Sequence, residues 1–241
     1  MIKVILCEGV TDAYFLSYYL EKTSGWKFCN KSPENLTIKA NNHNESVNWY
    51  KKDQDYLLIC GVGGKDNFGN FFKNKIERPL LTANAFNRIA IVTDRDDRTN
   101  ETIINELLSS IDSLDLDMED KKWKRNDYID DFKISNHFEL LLVIVPNEHQ
   151  GALETVMLDA ISEDPYDKNI VDKADEFVKQ MRVHASKYIK SDRLQLKAKL
   201  SVTWAIQSPE KVFSTIDELI KNVKWDTYDS LKQCFGTLID I

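Results

Sequence analysis

Short, continuous apolar runs recur along the chain, and each is followed by a segment with helical spacing. The runs span residues 2–7 (IKVILC), 56–62 (YLLICGV), 88–93 (RIAIVT) and 138–145 (FELLLVIV). Apolar runs of this length are typical of strands that are buried on both faces. Because strands alternate with helices, the sequence predicts an α/β fold whose mostly parallel sheet is flanked by helices.

Helices are predicted between and after these strands. Thr11 can cap a helix that begins near Asp12, and the turn GGKD (63–66) leads into a helix that ends near residue 77. Further helices are expected at 99–111 and at 150–162. The second of these has apolar residues every three or four positions, which indicates one buried face.

The remaining segments differ from this strand–helix pattern. Residues 24–54 are polar and predict a loop with one weak strand, and residues 112–137 are dense in charge and predict a surface insertion. From residue 163 onward the apolar spacing is helical. We therefore expect an α/β core at 1–162, with the charged insertion inside it, and a helical C-terminal extension at 163–241.

The net charge restricts the classes of function. The chain has 32 Lys and Arg against 39 Asp and Glu, which gives a formal net charge of −7. This acidic balance argues against a protein that coats nucleic acid through its positive charge. It is compatible with an enzyme that acts on phosphodiesters, because such enzymes bind metal ions through carboxylates and the metal supplies the positive charge.

The sequence favours a cytoplasmic protein without a membrane span. No apolar run approaches the roughly 18 residues of a transmembrane helix, and the first residues lack the pattern of a signal peptide. The four cysteines form no C-x-x-C pair of the kind that indicates a zinc site. Cys7 and Cys60 lie within apolar runs, so they are predicted to be reduced core residues.

Carboxylates follow three of the four predicted strands. Binding sites in parallel sheets form beyond the carboxyl ends of the strands, and neighbouring strands lie roughly 4.8 Å apart. Acids at these ends can therefore converge on a shared pair of ions, and oxygen-rich ligand sets suit Mg²⁺ or Mn²⁺. The candidate residues are Glu8 and Asp12, Asp94 and Asp96, and Glu148 and Glu154.

The spacing of Asp94 and Asp96 supports this hypothesis. Residues two apart in an extended strand point the same way, so both carboxylates would face a metal ion, while Arg95 would reach a phosphate or pair with a neighbouring acid. Glu8 follows an apolar run, where a charge is costly without a partner or a cation. The alternative is that single acids at strand ends are solvated loop residues or helix caps, as for Asp12 at a helix N-terminus.

Two motifs carry a resemblance to a known family. E-G-V-T-D (8–12) and V-T-D-R-D-D (92–97), each at the end of a predicted strand, resemble the two motifs of the Toprim domain. That domain is shared by topoisomerases, DnaG-type primases, the ribonuclease that matures 5S ribosomal RNA and the OLD (overcoming lysogenization defect) nucleases. The resemblance covers about residues 1–146. The L-E-x-x-x-L-D helix at 153–159 and a Lys-rich helix beyond it make the chain most similar to OLD-like nucleases and small stand-alone Toprim proteins.

The resemblance implies a site with two Mg²⁺ or Mn²⁺ ions. By this resemblance, Asp94 and Asp96 would hold one ion. The other ion would be held with help from Glu8, Asp12 and Glu154. Among these acids, Glu8, Asp94 and Asp96 are also expected to be catalytic.

The same resemblance implies a late lysine that stabilises charge in the transition state. It corresponds to K-A-K at 197–199, where Lys197 is the first choice and Lys199 the second. A solvated helix face is the alternative interpretation for each of these lysines. A cationic side chain directed at developing negative charge would lower the barrier to phosphodiester cleavage.

The implied function is a metal-dependent endonuclease with a two-metal mechanism, with DNA favoured over RNA and phage defence as its context. Two alternatives stay open: a nucleotidyltransferase similar to Toprim primases, and a non-catalytic Toprim subunit of an ATPase-containing complex. The stretch GVGGKD (61–66) is not a phosphate-binding loop, because no Ser or Thr follows Lys65. An ATPase would therefore be a separate subunit, and the oligomeric state stays open.

Overall fold

A computed structural model describes residues 1–34, 36–211 and 213–241, so Asn35 and Val212 lie outside the described residues. Within these residues, seven strands form one sheet in the order β2-β3-β4-β1-β5-β7-β6. The strands are β1 (Ile2–Cys7), β2 (Lys27–Cys29), β3 (Ser46–Lys52), β4 (Asp55–Gly61), β5 (Arg88–Asp94), β6 (Lys124–Ile129) and β7 (Ser135–Val145).

The centre of the sheet is parallel, as the sequence predicts. Strands β4, β1, β5 and β7 correspond to the four apolar runs, and each pairs in parallel with its neighbours among these four. The outer strands β2, β3 and β6 pair antiparallel with their neighbours. The prediction of an α/β fold with a mostly parallel sheet is therefore confirmed.

Helices cover both faces of the sheet. One face packs against α1, α5 and the helices near the C-terminus, and the other packs against α2, α3 and α4. A π-helical turn at Phe72–Glu77 joins α2 to α3. The helices are α1 (Val10–Ser24), α2 (Phe68–Phe71), α3 (Arg78–Ala83), α4 (Asn100–Ser110), α5 (Leu153–Ile161), α6 (Pro165–His184), α7 (Asp192–Gln207), α8 (Ile216–Asn222) and α9 (Asp229–Phe235).

The burial of β1 explains its uninterrupted apolar sequence. Ile5 and Cys7 point into the layer that contains α1 and α5, whereas Val4 and Leu6 point into the layer that contains α2 to α4. All four side chains are fully buried. A strand with helices on both sides has no solvent face, so its sequence shows no polar alternation.

The start of α1 differs from the sequence prediction. The N-cap is Gly9 rather than Thr11, and the helix begins at Val10. The Gly9 N–H donates a hydrogen bond to Asp12 Oδ2 at 2.7 Å. The acid at the third position of the helix therefore reaches back to the N–H of the cap residue, as in one half of a capping box.

Residues 24–54 contain two strands, not the single weak strand predicted. Both lie at one side of the sheet: β2 pairs with β3, and β3 pairs with the parallel core through β4. Trp49 and Tyr50 of β3 are buried, while the neighbouring lysines are exposed. The polar residues of this segment obscured the strands, since peripheral strands need few buried side chains.

The charged stretch at 112–137 is also part of the sheet. Within this stretch Lys124–Ile129 form β6, which pairs antiparallel with β7. Along β6, Asn126 and Tyr128 are buried and alternate with exposed Arg125 and Asp127. The segment was predicted as a surface insertion because its charged residues occupy the solvent-facing positions of an edge strand.

The helices beyond residue 163 share a hydrophobic core with the sheet. Trp225 and Phe235 are fully buried, and their ring centroids lie 5.4 Å and 5.3 Å from the ring of Phe15 in α1. The division of the chain at residue 162 stays a prediction. In the part of the chain that the structure describes, no helix is long and apolar enough to cross a membrane.

We expect Gly69→Ala to destabilise the fold by about 3 kcal/mol, because a larger side chain cannot fit there. A Cβ atom at Gly69 in α2 would lie 2.1 Å from the carbonyl oxygen of Ser110 at the end of α4. Urea unfolding measures the change. Gly236→Ala is the control, because its Cβ would meet no atom within 4 Å. Equal unfolding midpoints for the two variants would contradict this packing of α2 on α4.

Candidate functional site

The carboxyl ends of β1 and β5 bring two of the predicted acids together. The two strands are neighbours, with Cys7 paired to Val92. Glu8 follows β1, and its Oε1 accepts hydrogen bonds from Thr93 Oγ1 at 2.8 Å and from the Asp94 N–H at 2.9 Å. The Glu8 side chain is therefore held against the end of the neighbouring strand β5.

Asp94 is the most deeply placed of these acids, with 3% of its surface exposed. Its Oδ1 accepts a hydrogen bond from the Leu153 N–H at 2.9 Å, so the N-terminus of α5 points at the carboxylate and favours its charge. Burial, followed by the charges of Asp12 and Glu8, nevertheless raises the Asp94 pKa well above its ordinary value. Burial and the neighbouring carboxylates therefore make the ionised form of Asp94 less favourable.

Asp96 reaches the site by a different route from the predicted one. Strand β5 ends at Asp94, and Asp96 has a φ of +53° in the left-handed region. Its N–H donates to the Gly151 carbonyl at 2.7 Å, and the Gly151 N–H donates to the Asp96 carbonyl at 2.9 Å. The prediction that an extended strand orients both acids is wrong, because this turn, pinned to the loop before α5, directs the Asp96 side chain instead.

Asp12 and Glu154 complete the acidic group, which consists of Glu8, Asp12, Asp94, Asp96 and Glu154. Burial and the neighbouring charge of Glu8 raise the Asp12 pKa to about 7, although the hydrogen bond from Gly9 opposes this shift. Glu154 lies in the first turn of α5 and is buried. In the described residues, its Oε2 is buried without a hydrogen-bond partner. Both side chains are therefore in surroundings that a nearby cation would relieve.

Arg193 is the residue of this site that the sequence analysis missed. Its Nη2 lies 2.5 Å from Asp94 Oδ2, and its Nη1 lies 2.8 Å from Asp96 Oδ1. Its Nε lies 3.9 Å from Glu154 Oε2. Burial alone would lower the Arg193 pKa, but the charges of Asp94 and Glu154 raise it above its ordinary value. The guanidinium thus neutralises part of the acidic group.

The two predicted lysines lie on different sides of α7. Lys197 Nζ is 3.7 Å from Glu154 Oε1, whereas Lys199 Nζ is 3.4 Å from Asp175 Oδ1 on α6. Arg193 and Lys197 are four residues apart, so they share the helix face that points at the acids. The geometry favours Lys197 over Lys199. The four-residue spacing was the one signal in the sequence that linked Arg193 to the site.

Other residues near the strand ends have structural surroundings. Arg95 is buried and donates from Nε to the Pro146 carbonyl at 3.0 Å and from Nη2 to the Asn147 carbonyl at 2.5 Å. It therefore fixes the loop after β7. Among the described residues Arg95 forms no ion pair with a neighbouring acid, and its contact with a phosphate stays a prediction. Asp97 and Glu148 are exposed.

Lys65 belongs to the rim of the site. It follows the glycine turn after β4, and its Nζ lies 3.1 Å from Asp96 Oδ2. Arg98 approaches the same oxygen, with Nη2 at 3.7 Å. Asp96 therefore lies between cationic side chains from three parts of the chain: the turn after β4, the loop after β5 and helix α7.

Two spaces adjoin the acids. A crevice with room for about 10 Å³ is lined by Glu8, Asp12 and Asp94, which is close to the volume that one water or ion needs. On the other side of Arg193 lies a larger cavity of about 600 Å³, bounded by α6, α7 and the loop before α5. Asp96 and Arg193 line this cavity together with Gln150, Gln195, Leu196 and Lys199.

The donor set fits divalent cations in its chemistry. Carboxylate oxygens are the ligands of Mg²⁺ and Mn²⁺. In the described residues Glu154 Oε2 has no hydrogen-bond partner, and the Asp12 pKa is raised, so both indicate incompletely balanced negative charge. Among the described residues, no group of three or more acids, histidines or cysteines is arranged around a common point as ligands. In this structure Arg193 contacts both Asp94 and Asp96.

Comparisons with known proteins establish the family and the fold. The crystal structure of hypothetical protein PH0156 from Pyrococcus horikoshii OT3 is 16% identical in sequence, and the match covers 98% of this chain and 99% of that chain with a TM-score of 0.50. At this identity the likeness concerns the fold alone. No curated protein matches the chain. A family model described as a protein of unknown function (DUF3226) matches residues 2–239, so the chain belongs to the DUF3226 family.

Proposed function

We propose that the acidic group catalyses metal-dependent cleavage of phosphodiester bonds in nucleic acid, with DNA favoured over RNA. The observation that carries the proposal is the convergence of buried carboxylates with cationic side chains at the ends of adjacent parallel strands. Glu8 contacts the backbone of Asp94, and Arg193 joins Asp94 to Asp96. Such an arrangement suits reactions in which negative charge must be bound and neutralised.

The proposed ligands are the five acids predicted from the sequence. Asp94 and Asp96 would hold one Mg²⁺ or Mn²⁺ ion, and a second would be held with help from the remaining acids. Two such ions would neutralise the charge of an attacked phosphate and lower the pKa of a bound water. The ligand residues proposed are Glu8, Asp12, Asp94, Asp96 and Glu154.

The protein's own side chains would position the acids and the substrate. The N–H group of Leu153 orients the Asp94 carboxylate, and the backbone of Asp94 orients Glu8. Lys197, whose side chain is half exposed and whose Nζ lies near Glu154, would contact a phosphate at the mouth of the site. The cavity between α6 and α7 offers space beside the acids for the substrate chain.

The experiment that tests this proposal is a cleavage assay on purified protein. Supercoiled plasmid, linear duplex, single-stranded DNA and structured RNA are each incubated with Mg²⁺, with Mn²⁺ or with EDTA. We expect cleavage with either metal ion and none with EDTA. If none of the four substrates is cut with either ion, the nuclease proposal is wrong.

The same samples separate the alternatives. Incorporation of labelled nucleotides would instead indicate a nucleotidyltransferase. An ATPase that co-purifies with the chain and is required for cleavage would indicate the separate subunit proposed above, in a complex that acts in phage defence. A chain that is inert in both assays but needed by such a complex would be its non-catalytic subunit. We propose a cytoplasmic location for each of these forms.

Lys197→Ala is expected to reduce cleavage by about 100-fold, the usual effect of removing one charge-stabilising donor. Lys173→Ala is the matched control, because exposed Lys173 pairs with Glu176 on α6 and lines neither the acidic group nor the cavity. We expect it to change the rate less than about threefold. Rates are measured under single-turnover conditions. Equal losses in the two variants would show that neither lysine has a specific role.

A further inference from the structure

The guanidinium of Arg193 uses the same carboxylate oxygens that a metal ion would need. It donates to Asp94 Oδ2 at 2.5 Å and to Asp96 Oδ1 at 2.8 Å. A small divalent ion such as Mg²⁺ requires oxygen ligands at roughly 2.0–2.1 Å. Each carboxylate oxygen has two lone pairs, but a guanidinium and a divalent ion at the same two oxygens repel each other and would compete for them.

Arg193 also balances a charge that would otherwise be costly. Asp94 is almost fully buried, and a buried ionised group without a partner is strongly destabilising. Among the described residues, the cationic side chains closest to this group divide their contacts: Lys65 and Arg98 face Asp96, and Lys197 faces Glu154. Among the described ion pairs, the one to the Asp94 carboxylate comes from Arg193, whereas Arg98 donates to the Asp94 backbone carbonyl.

The side chain of Arg193 has space to leave the acids without movement of the backbone. It is 36% exposed, and it borders the cavity of about 600 Å³ between α6 and α7. A change in the side-chain torsions is a small and fast motion compared with a shift of packed helices. In the cavity the guanidinium would be available to a phosphate, which it can bind through two hydrogen bonds.

We propose that Arg193 and a divalent cation alternate on Asp94 and Asp96. Without metal, Arg193 closes the acidic group and keeps it neutralised. When the cation binds, Arg193 turns into the cavity and contacts a phosphate of the nucleic-acid strand there. This inference rests on the proposed function, because it assigns a regulatory exchange to the same site.

The exchange has a thermodynamic consequence. A cation that binds only the form in which Arg193 has left the acids has an apparent affinity reduced by the fraction of that form. Removal of the guanidinium abolishes this competition. The variant should therefore bind the cation more tightly, although it lacks a group that helps to bind substrate.

Titration with Mn²⁺ in the absence of nucleic acid tests the exchange. We expect Arg193→Ala to bind Mn²⁺ at least tenfold more tightly than the unaltered protein, measured by calorimetry or by the loss of the free-ion signal in electron paramagnetic resonance. Arg182→Ala is the matched control. It removes a guanidinium that also borders the cavity but pairs with Asp192 and Gln195, so its Mn²⁺ affinity should not change.

A measurement of the melting temperature shows whether the Arg193→Ala variant is folded. In EDTA, Arg193→Ala should melt at a lower temperature than the unaltered protein. Mn²⁺ should raise the melting temperature of the variant by more than it raises that of the unaltered protein. Mn²⁺ binding in folded Arg193→Ala that is equal to or weaker than in the unaltered protein would overturn the exchange. Tighter binding together with no cleavage of any substrate would support the exchange and disprove the nuclease.

Discussion

Asp94→Asn is expected to reduce metal-dependent cleavage by about 10³-fold while leaving the protein folded. Asn has the same shape, and its carbonyl oxygen can still accept the hydrogen bond that the Leu153 N–H gives to Asp94 Oδ1. The lost group is the charged oxygen Oδ2, which Arg193 contacts in the structure. Without that charge, a cation would lose its most buried ligand.

The matched control for this prediction is Asp112→Asn. Asp112 is exposed, follows α4 and lines neither the acidic group nor the cavity, so the same change in net charge is made outside the site. Its cleavage rate should stay within about twofold, as for most exposed charges. Circular dichroism and the melting temperature establish that both variants fold. Full activity of Asp94→Asn would remove Asp94 from the catalytic site.

The second large effect concerns stability in metal-free buffer. Because the Asp12 pKa is about 7 in the folded protein and 3.8 in its ordinary state, the folded state binds its proton more tightly. The contribution of this group is complete below about pH 3.8 and is lost as the pH rises to about 7. In EDTA we therefore expect the free energy of unfolding to fall by roughly 1–4 kcal/mol across this range.

Asp12→Asn should flatten this pH dependence, since Asn has no proton to lose. Urea unfolding at pH values from about 4 to about 8, in steps of about half a unit, measures the slope. Asp97→Asn changes an exposed acid and should keep the slope of the unaltered protein. An unchanged slope in Asp12→Asn would show that Asp12 ionises normally, and the crowding of charge around Glu8 would then be smaller than the structure indicates.

The central strands and their acids could be predicted because both signals are local. Strand β1 is buried on both faces, so its sequence is continuously apolar, and Glu8 follows directly at its end. The edge strands were missed or misread for the opposite reason. In β6, Arg125 and Asp127 face solvent, and local sequence does not distinguish such an edge strand from a charged loop.

Arg193 could not be predicted because its role depends on distant parts of the chain. It lies 99 residues from Asp94, and only the packing of α7 beside α5 brings the two together. The choice between Lys197 and Lys199 could not be made from the sequence for the same reason. Helix α7 directs them toward different neighbours, Glu154 and Asp175. Side chains that act across elements are determined by tertiary packing, which a single sequence shows only indirectly.

The central claim is that these carboxylates bind divalent cations in exchange for Arg193, and crystals soaked in Mn²⁺ test it most directly. We predict anomalous manganese density about 2.1 Å from carboxylate oxygens of Asp94 and Asp96, with the Arg193 side chain turned toward the cavity. Crystals without Mn²⁺ should show Arg193 on the two acids. Soaked crystals with no manganese at the acidic group, and with Arg193 still paired to Asp94 and Asp96, would contradict the claim.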